Sequence, residues 1–363
     1  MKNMKICFVG PANNVHMIKW CTWFNHHGHS VHVISFIEGE IPGTTVHVID
    51  PGVSAAGSDL AKLKYLFTGG QIKRLIDEIK PDIVNAHYAT SYGTALALSG
   101  VQNYVLSVWG SDVYDFPQKS FLHKLLLKYS LKKAACLFST SMAMAAEAGK
   151  YTDKKFVITP FGVDTALFNP NKRTRPGNDG RIILGTVKSL SDKYGIRYIL
   201  EAVAAVKKQG NFPLELRIAG KGPQEQEYRK LAEDLGIGAI TSWLGFISQA
   251  EAAREWANMD IALIPSELES ESFGVSAVEA QACGTAVVIS DIPGLMEATS
   301  PDETSIVVPR KNAAALEKAI LDLMKNPDKR ETLGKNGRQY VEKHYEMDAC
   351  FFKVETIFKQ RIK

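Results

Sequence analysis

The chain has 363 residues, of which 45% are apolar and 23% are charged. This length suits two domains of ordinary size, and the composition of a globular protein excludes wholesale disorder. The formal net charge of +4 is too small to indicate a nucleic-acid partner. All of the excess lies in residues 1–170, which hold 16 basic and 12 acidic residues.

No apolar run approaches the ~18 residues that a membrane-spanning helix needs. The apolar stretch near the start runs only from Ile6 to Val9, so it fits a first β-strand better than a secretory signal. The five cysteines are scattered and contain no C-x-x-C pair, which argues against a zinc site and a disulfide framework. We therefore predict a cytoplasmic protein.

Short apolar runs alternate with helical patterns through the first half of the chain. Apolar residues at helical spacing cover 16–27 and 71–80. The predicted strands are KICFVG, HSVHVISF, DIVNAHYA, NYVLSVWG, ACLFSTS and KKFVITPFG. Such alternation predicts a parallel sheet with helices on both faces.

A polar stretch at 168–180, rich in Pro, Gly and Asn, is the predicted linker, and the alternation restarts after it. Helical patterns cover 196–208, 225–235 and 314–325, and 334–363 is a mostly helical tail. The predicted strands of this half are RIILGTVK, LELRIAGKG, TSWLGFI, DIALIPS, TAVVISD and TSIVVPR.

These patterns predict an α/β protein of two doubly wound, Rossmann-like domains that face each other across a cleft. We expect an N-terminal domain at 1–167 and a C-terminal domain at 181–343. A C-terminal helix at 344–363 is expected to pack back on the N-terminal domain. Ligands of such sheets bind beyond the C-terminal ends of the strands.

The most informative segment follows the strand DIALIPS, where an acidic loop leads into a helix near Phe273 or Gly274. Glu271 precedes this helix, and Glu279 lies roughly 12 Å further along if helical rise applies. Free backbone N–H groups of Phe273, Gly274 and Val275 would attract a diphosphate. A nucleotide sugar matches this arrangement, with hydroxyls at each end and phosphates between.

A simpler interpretation is that Glu271 favours the helix N-terminus and Glu279 is a solvated helix charge. For a pair of glutamates alone that interpretation is the better one. Here Glu279 lies in a largely apolar helix that we expect to be buried, and a buried carboxylate needs a partner.

The segment E-S-F-G-V-S-A-V-E-A-Q-A-C-G at 271–284 resembles the donor-site motif of glycosyltransferase family 4, whose members are retaining enzymes of the GT-B fold. The resemblance implies that Glu271 contacts the transferred hexose and acts as a catalytic residue, and that Glu279 contacts the ribose. Ser272, Phe273, Gly274 and Val275 would hold the sugar and diphosphate.

Other stretches extend this resemblance over nearly the whole chain. The strand and turn at 216–223 are similar to the family's G-x-G-P turn, and 160–168 is similar to its exit from the first domain. The segment 243–247 resembles the one that contacts the base, which places Phe246 among the binding residues. Each short glycine turn alone could be an ordinary strand end, and their shared order carries the resemblance.

The phosphate-binding loop departs from the family pattern G-R-x-x-x-x-K-G. Aligned on Gly195, the expected Arg falls on Ser189 and the expected Lys on Tyr194. Lys188 and Lys193 each lie one position earlier, and we predict that both neutralise the leaving diphosphate. For Lys188, a solvated loop lysine is an almost equal alternative.

In the first half, the strand D-I-V-N-A-H-Y resembles the family segment D-x-x-H-x-H, and its second histidine matches His87. The resemblance implies a catalytic role in which His87 hydrogen-bonds the hexose near the anomeric carbon. A generic strand-end histidine is the alternative.

Three further residues are candidates by location only. Asn13 and His16 lie in the loop after the first strand, where they could meet the acceptor or the donor phosphate. Asp112 follows another strand, where it could contact the acceptor hydroxyl or cap a turn, with equal weight on each.

Residues 117–138 alternate lysines with large apolar residues. A basic amphipathic helix of this kind can lie on an anionic membrane surface, which would place the protein at the inner face of the membrane. A core-packed helix with a solvated lysine face is at least as consistent with the pattern.

We predict a retaining glycosyltransferase that moves a hexose or N-acetylhexosamine from a UDP-sugar, or alternatively a GDP-sugar, to a sugar or lipid-linked glycan acceptor in polysaccharide biosynthesis. The absence of a D-x-D motif predicts no metal requirement, and we expect no other cofactor. The alternatives are a GT-B epimerase, a phosphorylase-like enzyme and a two-domain sugar-binding protein.

Overall fold

The structure is a computed structural model that describes residues 3–52, 63–175, 180–210 and 212–362. The chain forms two compact units, one of Met1–Phe161 with Cys350–Lys363 and one of Gly162–Ala349. Residues 176–179 of the predicted linker lie outside the described residues. The second unit begins before that linker, because Val163 bridges to Glu346 and Phe168 is buried.

The first unit contains a parallel sheet, and the strand order within the described part of the chain is β3-β2-β1-β4-β5-β6-β7. Its strands are β1 (Lys5–Val9), β2 (Ser30–Ser35), β3 (Thr44–Val48), β4 (Ile83–His87), β5 (Val105–Val108), β6 (Cys136–Ser139) and β7 (Phe156–Ile158). The central strand β4 is buried along its whole length, as expected for a parallel strand covered on both faces.

Helices follow most of these strands. They are α1 (Val15–His26), α2 (Gly69–Ile79), α3 (Ser91–Leu98), α4 (Ser111–Tyr114), α5 (Phe121–Lys133) and α6 (Met142–Gly149), with 3₁₀ turns at Leu63–Thr68 and Phe116–Gln118. Asn14, Ser120 and Ser141 cap the N-termini of α1, α5 and α6 through their side chains, so local sequence fixes where these helices begin.

The second unit contains a second parallel sheet, with the order β10-β9-β8-β11-β12-β13 in the described residues. Its strands are β8 (Ile182–Val187), β9 (Leu214–Ala219), β10 (Thr241–Gly245), β11 (Ile261–Ile264), β12 (Ala286–Ser290) and β13 (Ser305–Val308).

The helices of the second unit include an 18-residue helix near its end. They are α7 (Ile196–Lys208), α8 (Glu225–Asp234), α9 (Gln249–Asn258), α10 (Val275–Ala282), α11 (Pro293–Ala298), α12 (Ala313–Lys325) and α13 (Pro327–His344), with 3₁₀ turns at Pro170–Lys172, Asp192–Tyr194 and Gly238–Ile240. A last helix, α14 (Met347–Arg361), belongs to the first unit from Cys350 onward.

The prediction of two parallel α/β domains is confirmed, and every predicted strand is present. The strand β3 was not predicted, because its TTVHV sequence is short and only partly buried at the sheet edge. The tail predicted to be mostly helical is interrupted at Tyr345 and Glu346, where Glu346 bridges to Val163.

Each sheet has one point where the strand order reverses direction, between β1 and β4 in the first unit and between β8 and β11 in the second. Loops that leave such neighbouring strands diverge to opposite faces, which opens a crevice at their C-terminal ends. Most of the predicted site residues lie at or after the ends of these strands, whereas Asp112 follows β5 and Phe246 follows β10.

Candidate functional site

In the second unit, the reversal point brings together two loops that are far apart in sequence. Lys188 comes directly after β8, and Glu271 lies in the loop between β11 and α10. The Lys188 ammonium lies 2.8 Å from a Glu271 carboxylate oxygen, and the two side chains are only 10% and 8% exposed. Lys188 is therefore buried beside Glu271 and is not a solvated loop lysine.

Lys193 reaches the same region from the 3₁₀ turn at Asp192–Tyr194. Its ammonium donates a hydrogen bond to the carbonyl of Ser270 at 2.8 Å. The ammonium groups of Lys188 and Lys193 lie 4.6 and 5.4 Å from the centroid of the Tyr194 ring, within cation–π distance. Burial raises the pKa of Tyr194, so this ring stays neutral between the two cations. The resulting cluster carries two positive charges and one negative charge.

Helix α10 begins later than predicted, at Val275. Gly274 is its N-cap and has φ of 75°, so Phe273 and Gly274 precede the helix and do not form its first turn. The first-turn N–H groups are those of Val275 and the residues after it. Ser276 donates from its hydroxyl to the carbonyl of Val187 at 3.0 Å, which ties the helix start to the end of β8.

Two glycines allow the backbone conformation and close packing around Glu271. Gly274 requires its left-handed φ, and a Cβ there would lie 2.6 Å from a methyl of Leu295. A Cβ at Gly294 would lie 2.6 Å from the Glu271 carbonyl oxygen and 2.5 Å from the Ser272 carbonyl carbon. Gly294 thus allows α11 to pack directly on the Glu271–Ser272 backbone. Gly294 was not among the predicted site residues. Its position at the start of a helix, just after a proline, was the sequence signal for it.

Glu279 is 7% exposed on α10, so the predicted burial of this carboxylate is found. The indole N–H of Trp256 donates to it at 3.4 Å. Phe273 is also buried and packs edge-on against Tyr345, with ring centroids 5.3 Å apart. Phe246, by contrast, is 80% exposed just beyond β10. Its ring is accessible at the strand end.

In the first unit, His87 ends β4 and is fully buried. Its ring packs among Phe8, Trp20 and Trp109, with centroid distances of 5.3, 4.9 and 4.5 Å. Burial, together with the nearby His16, lowers the pKa of His87 to about 3, so the ring is neutral at physiological pH.

Asn85 determines which ring nitrogen of His87 carries the proton. The Asn85 amide nitrogen donates to the carbonyls of Ala86 and Val105, so its oxygen must face His87. That oxygen lies 3.0 Å from Nε2, which assigns the proton of the neutral ring to Nε2. The other nitrogen, Nδ1, is buried and has no hydrogen-bond partner in the part of the chain that the structure describes.

The remaining first-unit candidates lie near the same strand ends. Asn13 is exposed, while His16 is half-buried and stacks on Phe161 with a centroid distance of 4.0 Å. Asp112 is buried and accepts the backbone N–H groups of Ala89 and Gly110, both at 2.8 Å. Burial raises the pKa of Asp112, although these N–H groups oppose the shift. These hydrogen bonds are those expected of a turn-capping Asp112.

The basic segment 117–138 contains α5, which has both a buried and an exposed apolar side. Leu127 and Leu131 are buried, whereas Phe121, Leu122 and Leu125 are 75%, 55% and 45% exposed. The helix therefore packs on the core and also presents apolar side chains to solvent between its lysines. In the described residues, no helix is long and apolar enough to cross a bilayer.

Two family models match the chain. The model described as "Glycosyl transferase 4-like" matches residues 5–141, and the model described as "Glycosyl transferases group 1" matches residues 168–340. Together they span more than four-fifths of the sequence, with one model on each α/β unit.

Two relatives that are described as glycosyltransferases match part of the chain. It is 28% identical over 295 residues to a D-inositol 3-phosphate glycosyltransferase of Pseudarthrobacter chlorophenolicus, covering 73% of this chain and 67% of that protein. It is 29% identical over 208 residues to an MMP alpha-(1->4)-mannosyltransferase of Mycolicibacterium hassiacum, covering 56% and 48%. The chain thus spans about two thirds of the first relative and about half of the second.

Solved structures resemble the chain over nearly its full length. A sucrose-phosphate synthase of Thermosynechococcus elongatus superposes with a TM-score of 0.82 at 20% identity and 99% coverage of both chains. Anabaena HepE in complex with UDP-glucose gives a TM-score of 0.80 at 16% identity, covering 99% of this chain and 100% of that one. These likenesses establish the fold.

Proposed function

We infer the reaction of this chain from its family. The chain belongs to the glycosyltransferases of the group 1 and 4-like families and has the GT-B fold. We propose that it transfers a hexose or N-acetylhexosamine, with retention of anomeric configuration, from a nucleoside-diphosphate sugar to a sugar or lipid-linked glycan. The observation that carries the proposal is the buried Lys188–Glu271 pair at the reversal point of the second sheet, with Lys193 beside it.

The charges of this cluster suit a nucleotide sugar. Two lysines can neutralise a diphosphate, whose negative charge grows as the bond to the anomeric carbon breaks. Glu271 can accept hydrogen bonds from sugar hydroxyls, and Glu279 from the ribose. The N-terminus of α10 adds backbone N–H donors to the phosphate side. Because lysines supply the positive charge, we propose that no metal ion or other cofactor is needed.

The proposed step breaks the bond between the anomeric carbon and the β-phosphate oxygen and forms a bond from that carbon to the acceptor oxygen. The acceptor hydroxyl gives its proton to the departing β-phosphate oxygen, and the nucleoside diphosphate leaves. His87 is neutral, so its proposed contribution is a hydrogen bond near the anomeric carbon rather than a positive charge. We further propose that Phe246 contacts the base, and that Asn13 and His16 lie on the acceptor side.

UDP is the favoured nucleotide, and the complex of Anabaena HepE with UDP-glucose supports this choice. A GDP-sugar is the alternative, because another relative is described as GDP-mannose-dependent. We place the reaction in bacterial surface-polysaccharide synthesis on the cytoplasmic side, with peripheral attachment through the lysines and exposed apolar residues of α5.

The deciding experiment measures nucleoside-diphosphate release with a panel of UDP- and GDP-sugars, with and without glycan acceptors. Acceptor-dependent release and a product of retained configuration support the proposal. Release without acceptor indicates hydrolysis, and isomerised donor without release indicates an epimerase. The Glu271→Ala variant should lose transfer while remaining folded by circular dichroism. Near-normal turnover of that variant would overturn the donor-site assignment.

A further inference from the structure

A cavity of about 670 Å³ lies in the first unit, at the C-terminal ends of its central strands. This volume is within the range of about 300–1,000 Å³ that is usual for small-molecule sites. Tyr88, directly after His87, lines the cavity, as do Phe36 beyond β2 and Leu122 on α5. The cavity therefore extends from the C-terminal end of β4, where the predicted catalytic residue His87 lies, to helix α5.

One wall is a stack of aromatic rings. Phe36 lies parallel to Tyr65 at a centroid distance of 4.9 Å and parallel to Tyr92 at 4.5 Å. All three residues are at least nine-tenths buried, so the stack is rigid. Other lining residues come from the segment before α5 and from α5 itself, among them Phe116 and Leu126.

Three polar groups in the cavity wall are already hydrogen-bonded within the protein. Asp112 accepts backbone N–H groups, and the Thr94 hydroxyl lies 2.9 Å from that of Ser130. The Tyr92 hydroxyl accepts the Phe36 N–H at 3.4 Å. Two other acidic and basic residues of the lining, Asp115 and Lys119, are exposed. An occupant of the interior would thus meet mainly apolar surface, with charges near the opening.

Tyr88 has a backbone conformation that is rare for a residue with a side chain. Its φ is 69°, in the left-handed region, and its N–H is held by the carbonyl of Ser107 at 3.0 Å. Such conformations persist where the surrounding structure imposes them, and they cluster at functional sites. Here the turn leaves His87 in the core and Tyr88 in the cavity wall.

We propose that this cavity binds the apolar aglycone of the acceptor, an alkyl or prenyl chain attached to the sugar that is glycosylated. The proposal rests on the glycosyltransferase function proposed above. The accepting sugar lies at the Tyr88 end, near His87, and the chain extends past the aromatic stack toward Leu122. Because the chain loses contact with water in the cavity, affinity increases with its length.

The first test compares octyl and methyl glycosides of the same sugars as acceptors, with the octyl compounds below their micelle-forming concentration. We expect kcat/KM to be at least about tenfold higher for the octyl compound, mainly through a lower KM, since each buried methylene favours binding. Equal kcat/KM values for octyl and methyl acceptors would overturn the proposal.

The second test uses a matched pair of variants on α5. Leu122 and Leu125 are both exposed apolar residues, but only Leu122 lines the cavity. In Leu122→Trp the larger ring narrows the opening, so kcat/KM for the octyl acceptor should fall toward kcat/KM for the methyl acceptor. Leu125→Trp should retain the preference. Loss of the preference in both variants, or in neither, contradicts the cavity assignment and indicates a surface role for the helix.

Direct binding separates failure of this proposal from failure of the proposed function. Isothermal titration calorimetry with octyl glycosides in the absence of donor measures binding to the cavity without any turnover. Octyl binding that Leu122→Trp weakens and Leu125→Trp leaves intact supports the cavity even if no donor is turned over. Turnover without octyl binding supports the transferase and overturns the cavity proposal.

Discussion

The side chains of Lys188 and Glu271 are paired at 2.8 Å, although 83 positions separate them in the chain. Both are largely buried, so each charge depends on the other for compensation. Their contact exists because β8 and β11 are neighbours in the sheet and their loops leave from the same edge. The pair therefore links the stability of the second unit to the proposed donor site.

Breaking this pair should affect stability and transfer differently. Lys188→Met leaves the Glu271 carboxylate buried without its partner, and we expect a loss of roughly 3 kcal/mol in unfolding free energy. The double variant Lys188→Met with Glu271→Gln should regain most of that stability but no transfer activity. Urea unfolding and nucleotide release measure the two properties. Recovery of activity in the double variant would mean that the charges serve only the fold.

Lys193 should contribute to phosphate binding, because its ammonium lies at the carbonyl of Ser270, next to Glu271 in the chain. We expect Lys193→Met to lower kcat/KM for the donor by roughly 10–100-fold, which corresponds to about 1.4–2.7 kcal/mol. Lys207→Met is the matched control, since Lys207 also donates to a carbonyl, that of Gly236, but away from the site. The hypothesis fails if both variants lose activity equally.

Gly294→Ala tests the close packing of α11 on the Glu271–Ser272 backbone. An added methyl would lie 2.5 Å from the nearest backbone atom, so that backbone must shift, at a cost of roughly 1–3 kcal/mol. We expect weaker donor binding together with this destabilisation. Gly70→Ala is a control, because nothing lies within 4 Å of its added methyl. Unaltered donor affinity in Gly294→Ala would show that the loop tolerates displacement.

The buried neutral His87 predicts a pH dependence of stability. Its pKa is about 3 when folded and near 6.5 when unfolded, so between these values the unfolded chain binds one more proton. Unfolding free energy should therefore decrease as pH falls from 6.5 toward 3, by about 1.4 kcal/mol per pH unit from this residue. His87→Phe should remove that part of the slope in urea titrations at several pH values. An identical slope in the variant would place His87 in contact with water.

The assigned tautomer of His87 is measurable by nitrogen NMR of labelled histidine. We expect the proton on Nε2 in the native protein, because the Asn85 oxygen lies 3.0 Å from that nitrogen. Asn85→Leu removes the acceptor and should shift the population toward the other tautomer. If Asn85 positions His87 for transfer, kcat should fall while KM for the donor stays unchanged. A native ring protonated on Nδ1 would contradict the assignment.

The strand–helix alternation, both parallel sheets and the Glu271–Glu279 spacing could be read from the sequence. Apolar periodicity and turn residues are local signals, because each arises within a few neighbouring positions. Capping residues such as Ser120 were local as well. The edge strand β3 escaped prediction, since a half-exposed strand lacks a clear apolar pattern.

The groups that Lys188 and Asp112 contact could not be predicted from the sequence in the same way. Sequence alone left Lys188 between a ligand and a solvated lysine, and it left Asp112 between a substrate contact and a turn cap. Strand order brings β8 beside β11, and this pairs Lys188 with Glu271 instead of leaving it in solvent. Burial explains the hydrogen bonds of Asp112, because a carboxylate removed from water must accept nearby N–H groups. Local sequence determined the elements of this protein, and only long-range packing determined which of their charges meet.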